Sequence, residues 1–151
     1  MTLLSRKVDY ALLILAYLHR HAGGGCAREI AARYGLSRAF VANILKVLCH
    51  KGFVTSHRGV KGGYALARPA DAVRLADLME ALDDRFQLAE CNHETAADHC
   101  TLTGVCPLRG GVAEVHRRIR EVLSRVTLAE LFNDAPNRGR EDIGLGLLAV
   151  N

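Results

Sequence analysis

Residues 26–69, CAREIAARYGLSRAFVANILKVLCHKGFVTSHRGVKGGYALARP, decide the fold. Two helical patterns meet here. In CAREIAARYG, Ile30 and Ala31 mark an inner face and Gly35 is the breaker. In SRAFVANILKVLCHKG, Ser37 can cap, and Phe40, Ile44, Leu45 and Leu48 form the expected buried stripe. Two helices joined across a short Gly-containing turn make a helix-turn-helix, with the second as candidate recognition helix. After Gly52 the period falls to near two, and Gly59 with the Gly62-Gly63 pair marks the turn of a hairpin. A hairpin in this place is a wing. The expected fold class is mainly α with a small β-hairpin: a winged helix-turn-helix domain plus a long dimerisation helix.

The charge distribution agrees with that order. Residues 1–70 hold 11 Lys+Arg against 2 Asp+Glu, and residues 71–151 hold 9 against 14, so the two parts carry +9 and −5. A positive N-terminal half on a helix-turn-helix is the electrostatic footprint of a nucleic-acid binder. On the second helix Ser37, Arg38, Ala39, Ala42, Asn43 and Lys46 are expected to face outward. Arg and Asn side chains can read guanine and adenine edges by paired hydrogen bonds. At the wing tip, Arg58 and Lys61 stand among glycines, so the backbone can approach a groove while the cations meet phosphate.

Upstream, Ser5 is a candidate N-cap for a helix running through VDYALLILAYLHRH, with Val8, Leu12, Leu15 and Leu18 at helical spacing and Gly23-Gly24-Gly25 at its end. Downstream, LADLMEAL over 75–82 predicts an amphipathic helix with Leu75, Leu78, Met79 and Leu82 inward. GVAEVHRRIREVLSRV over 111–126 places Val112, Val115, Ile119, Val122 and Val126 at alternating spacings of three and four. That strict seam suits pairing with another helix, and a homodimer formed through it would offer two recognition helices to a palindromic operator in double-stranded DNA. The tail after Asn133 carries no clear signal. No uninterrupted apolar run reaches a membrane span of about 18 residues, and the N-terminus lacks a signal-peptide cleavage site, so a cytoplasmic, reducing setting without membrane contact is expected.

In that setting five cysteines read as ligands or sensors rather than disulfides. Cys91, Cys100 and Cys106 lie together in CNHETAADHCTLTGVC, a stretch with neither helical nor strand periodicity, which reads as a loop held by whatever the thiols bind. Such a group serves a metal, an iron-sulfur cluster or redox chemistry. A zinc site would have wider gaps than the usual two to four residues between paired ligands. A metal-free sensor would oxidise the same thiols to a disulfide or sulfenic acid. Cys26 and Cys49 read as structural thiols. No phosphate-binding glycine loop, nucleophile elbow or catalytic triad is present, so an enzyme is not expected.

The order of helix-turn-helix, wing HRGVKGGYALARP, cysteine loop and long helix leading into RVTLAELF resembles the Rrf2 family of winged-helix transcriptional regulators, whose branches include IscR-like, NsrR-like and RirA-like proteins. The resemblance covers roughly residues 1–132, and the RGxxGGYxLxRP wing pattern with the three-cysteine loop and TLAEL is its specific part. It implies a homodimer whose operator affinity follows an iron-sulfur cluster held by Cys91, Cys100 and Cys106, sensing redox, nitric oxide or iron and cluster status. The expected organisation is 1–82 winged helix-turn-helix DNA-binding domain, 83–110 cysteine-rich cluster-binding loop, 111–132 dimerisation helix and 133–151 tail of unknown role. Two departures stand out. The first cysteine gap is eight residues, longer than in IscR-like members. Arg109 stands where those proteins place the histidine that completes a two-iron cluster, and arginine does not ligate. NsrR-like proteins carry an acidic residue near Asp9 that completes a four-iron cluster from the other subunit, so a four-iron cluster is favoured over a two-iron one and Asp9 is the candidate fourth ligand. His93 and His99 in the loop are its local competitors.

Overall fold

The computed structural model describes residues 4–59, 62–84, 86–92, 101–102 and 104–133. The expectations for Lys61, His93, His99, Cys100 and the tail lie outside them. The described helices are α1 (Arg6–Arg20), α2 (Ala27–Tyr34), α3 (Arg38–His50), α4 (Leu75–Ala81), α5 (Arg109–Arg125) and α6 (Leu128–Asn133). Strands β1 (Val54–His57) and β2 (Gly63–Leu66) pair antiparallel, with Val54 opposite Leu66 and His57 opposite Gly63. The fold is therefore mainly helical with one hairpin, as the sequence predicts. Among the described residues no helix is long and apolar enough to cross a membrane.

Local chemistry sets the helix ends. The Ser5 hydroxyl accepts the Val8 N–H at 3.3 Å and opens α1, and the Ser37 hydroxyl accepts the Phe40 N–H at 3.1 Å and opens α3. Gly35 closes α2 with a left-handed backbone, φ 65°. The TLAE of the sequence is a capping box: Thr127 N–H donates to Glu130 Oε2 at 2.7 Å, and Glu130 N–H donates back to Thr127 Oγ1 at 3.3 Å. It starts α6, which drives Leu128 and Phe132 into the core.

One core joins these elements. Val8, Ala11, Ile14, Leu15 and Leu18 of α1 meet Ile30 and Ala31 of α2 and Val41, Ile44, Leu45 and Leu48 of α3. Leu75, Leu78, Met79 and Leu82 from the α4 region close one end, with Leu123, Leu128 and Phe132. Each fully buried Leu or Ile stabilises the protein by about 1.5–3 kcal/mol. Phe40 departs from the expected stripe. It is 38% exposed, and Val41 takes the core position. Phe40 stands in the first turn of α3, where its ring meets Tyr10 of α1 edge-on at 4.9 Å and stays partly exposed. Likewise Ala11 and Ile14 are buried on α1 while Leu12 is half-buried.

The wing is fastened to the α1–α2 connection. Gly25 and Tyr64 exchange two backbone hydrogen bonds of 2.9 Å, an isolated bridge beside β2. The approach needs glycine. Gly24 has φ 79°, and a Cβ there would lie 2.5 Å from the Tyr64 carbonyl oxygen, while a Cβ on Gly63 would lie 2.9 Å from the Gly25 carbonyl oxygen. In both cases the obstacle is backbone, which cannot swing aside. Gly24→Ala is expected to combine left-handed strain with overpacking and to cost about 2–4 kcal/mol in denaturant unfolding. A loss below about 0.5 kcal/mol, the size of an ordinary surface change, would contradict this packing.

A second tie joins α5 to the winged domain. Leu75 N–H donates to the Val126 carbonyl and Leu128 N–H to the Val73 carbonyl, both at 2.9 Å, around the Arg74–Thr127 bridge. The Arg74 guanidinium also reaches the Ser124 carbonyl at 3.0 Å. The end of α5 is thus joined to the start of α4 by main-chain bonds.

Candidate DNA interface and cysteine-loop site

The outer face of α3 holds Ser37, Arg38, Ala39, Asn43 and Lys46, all exposed, with Ala42 half-buried. This matches the face expected from sequence. Because the stripe Val41–Ile44–Leu45–Leu48 fixes the inner side, the polar residues at one-turn spacing are left to solvent. Phe40 adds an exposed apolar ring to the same N-terminal turn. Arg58 is exposed at the end of β1, and the wing turns back through the Gly62 N–H to the Gly59 carbonyl, 2.8 Å. At the far end of the hairpin the Arg68 guanidinium lies 5.2 Å from the centroid of the Phe53 ring. That cation–π contact gives the RP of the wing pattern a packing role.

The cysteine loop is described at its two roots. Cys91 lies in a short 3-10 turn (Glu90–Asn92) packed against α5, and Cys106 lies three residues before α5 begins; both are half-buried free thiols. The Cys106 carbonyl accepts the Arg109 N–H at 3.4 Å, so this ligand candidate leads directly into the helix. Asn92 Oδ1, beside Cys91, is buried with no hydrogen-bond partner among the described residues. No group of three or more candidate metal ligands comes together among the described residues, and Cys100 is not one of them. Leu102, Val105 and Leu108, on the returning limb of the loop, are exposed apolar side chains.

Asp9 lies in the first turn of α1, exposed, with Leu13 exposed one turn on. The start of α1 is anchored from below: Ser5 N–H donates to Asp84 Oδ2 at 2.8 Å, and Lys7 Nζ donates to the Leu82 carbonyl at 3.1 Å. Cys26 and Cys49 are half-buried. Cys26 N–H donates to Glu29 Oε2 at 2.8 Å, which holds that carboxyl below its ordinary value, and burial pushes the Cys49 thiol up, away from the reactive thiolate.

On α5 the seam residues Val115 and Val122 are 48% and 60% exposed, while Val112, Ile119 and Val126 are half-buried. Arg117 and Arg118 both pair with Glu114, holding its carboxyl at about 2, and Arg117 and Arg125 reach Glu121. These exposed pairs add little stability but keep the flank of the seam charged. Sequence reasoning missed His116. It is buried on the inward face of α5, where burial and the Arg120 charge lower its pKa, and it stacks on Phe86. The available signal was a histidine seven residues before Leu123, on the same face of the helix.

A family model for Rrf2, described as iron-dependent transcriptional regulators, matches residues 4–134. Protein Aau3 of Rhizobium meliloti is 33% identical over 135 residues, covering 88% of this chain and 86% of that protein. Among solved structures, CymR (YrzC), the global cysteine regulator of B. subtilis, superposes with a TM-score of 0.69 at 26% identity, over 89% of this chain and 99% of CymR. T. potens IscR superposes with a TM-score of 0.65 at 26% identity, over 91% of this chain and 92% of IscR.

Proposed function

This chain belongs to the Rrf2 family of winged-helix transcriptional regulators, which are not enzymes, and we propose that an iron-sulfur cluster held by Cys91, Cys100 and Cys106 sets its affinity for operator DNA. The observation that carries the reading is the position of the two described thiols. One is packed against α5 and the other leads into its first turn, so a group bound between them acts on the helix tied to the winged domain. The donor set suits such a group: free thiols, half-buried, beside an Asn92 amide whose hydrogen-bonding capacity the described residues do not use. When bound there, the cluster supplies thiolate-ligated iron that reacts with oxygen, nitric oxide or peroxide.

The fourth ligand in this reading is Asp9 of a second copy of the chain. The exposed Leu13 beside Asp9 on α1 and the exposed apolar limb Leu102, Val105 and Leu108 support it, as a second copy would cover these apolar side chains while Asp9 stands free at their edge. Arg109 leaves no histidine at the place that completes a two-iron cluster, which favours four irons. Loss of the cluster leaves thiolates that repel one another and a loop limb without buried apolar anchors. The spacing of the two recognition helices then changes with the dimer. Ser37, Arg38, Asn43, Lys46, Arg58 and Lys61 supply the contacts to base edges and phosphates of a palindromic operator. A metal-free thiol sensor is the second reading, favoured by the likeness to a cysteine regulator. A zinc-stabilised DNA-binding protein is the third.

Iron and acid-labile sulfide on anaerobically purified Asp9→Ala test the assembly. The variant should fold as the parent does, since Asp9 is exposed, and lose its visible absorption several-fold faster on exposure to air or chelator. A spectrum as durable as the parent's would transfer the fourth-ligand role to His93 or His99.

A further inference from the structure

His116 fastens the segment bearing Cys91 to α5. Among the described residues it is the buried polar side chain, at 9% exposure. Its imidazole lies nearly parallel to the Phe86 ring, centroids 5.4 Å apart and planes 15° apart, and its Nδ1 accepts the Leu88 backbone N–H at 3.3 Å. A ring nitrogen accepts only when it carries no proton, so the neutral Nε2–H tautomer fits this site. Leu88 stands three residues before Cys91. The Asn92 N–H then donates to the Ala89 carbonyl at 3.0 Å and closes the turn that holds the thiol.

The same turns of α5 face two ways. His116 and Leu123 point inward, and the residues just before them, Val115 and Val122, are exposed on the apolar seam. We propose that His116 is a positioning residue: its Nδ1 and ring clamp residues 86–92 onto α5, presenting Cys91 to the cluster and passing the state of the loop to the dimer seam. The role at the cluster rests on the function proposed above, whereas the clamp itself is a property of the chain without metal.

Two variants separate the acceptor from the ring. His116→Phe keeps a ring for Phe86 and leaves the Leu88 N–H without a partner, while His116→Asn puts an amide oxygen where Nδ1 stood. Amide hydrogen exchange on the full-length, cluster-free protein should speed up about tenfold over residues 86–92 in His116→Phe and stay within about threefold of the parent in His116→Asn. After reconstitution, chelator should strip iron several-fold faster from His116→Phe than from His116→Asn. Equal exchange in His116→Phe and the parent, or equal acceleration in both variants, overturns the clamp. Faster exchange with unchanged iron loss overturns its role in presenting Cys91. If the parent protein takes up no iron, the cluster reading falls, and the exchange measurement still decides the clamp.

Discussion

Cys106→Ala is expected to purify with less than about a tenth of the parent's iron and sulfide and without its visible band, since it removes one of the three thiolates proposed to hold the cluster. Arg109, the next side chain toward α5 with strong polarity, is cationic and repels iron. The fold should persist. Cys106 is half-buried in a loop, so truncation is expected to cost about 1 kcal/mol or less, a shift of only a few degrees in Tm. Operator affinity of Cys106→Ala should match that of the cluster-free parent. Cys49→Ala is the control. Burial on α3 pushes its thiol pKa up, and its removal should leave iron content unchanged. A Cys106→Ala protein with full iron and an unaltered spectrum would remove the loop from the account.

The second large effect belongs to the seam. Val115 and Val122 lie two helical turns apart, both exposed in the protomer, so Val115→Asp/Val122→Asp should leave the protomer's stability nearly unchanged. In a two-fold dimer the same pair places four carboxylates in one apolar interface, where each desolvated, unpaired charge costs several kcal/mol. The dimer dissociation constant is expected to rise more than about a thousandfold, which sedimentation would register as a monomer at micromolar concentration. Operator affinity should fall by about a hundredfold or more, because two linked recognition helices bind a palindrome far more tightly than one. An unchanged sedimentation coefficient would show that the copies meet through another surface.

How much of this was legible in the sequence depends on whether the deciding contacts are local. Ser5, Ser37, Gly35 and the Thr127–Glu130 box act within four residues, and all could be read from residue type and spacing. The outward face of α3 followed from its inner stripe, although Phe40 did not, because the ring it meets belongs to α1. The glycines at 23–25 and 62–63 read only as helix end and turn. Gly24, Gly25 and Gly63 share a further purpose, a close backbone approach around the Gly25–Tyr64 bridge, which joins segments about 40 residues apart. His116 was hidden for the same reason: Phe86 and Leu88 are its partners across a stretch without periodicity. Clustering marks the three cysteines as a candidate site. A ligand contributed by a second chain leaves no spacing to read, and Asp9 came from resemblance alone.

The most direct test of the account compares cluster-loaded and cluster-free protein from one anaerobic preparation, with iron and sulfide counted, in titrations against the same operator DNA. The account predicts roughly four iron and four sulfide per cluster, as expected of a four-iron centre. It also predicts operator dissociation constants that differ about tenfold or more between the two forms, with similar steep salt dependence from shared phosphate contacts. Equal affinities in the two forms, or a protein that holds neither iron nor sulfide after reconstitution, would contradict it.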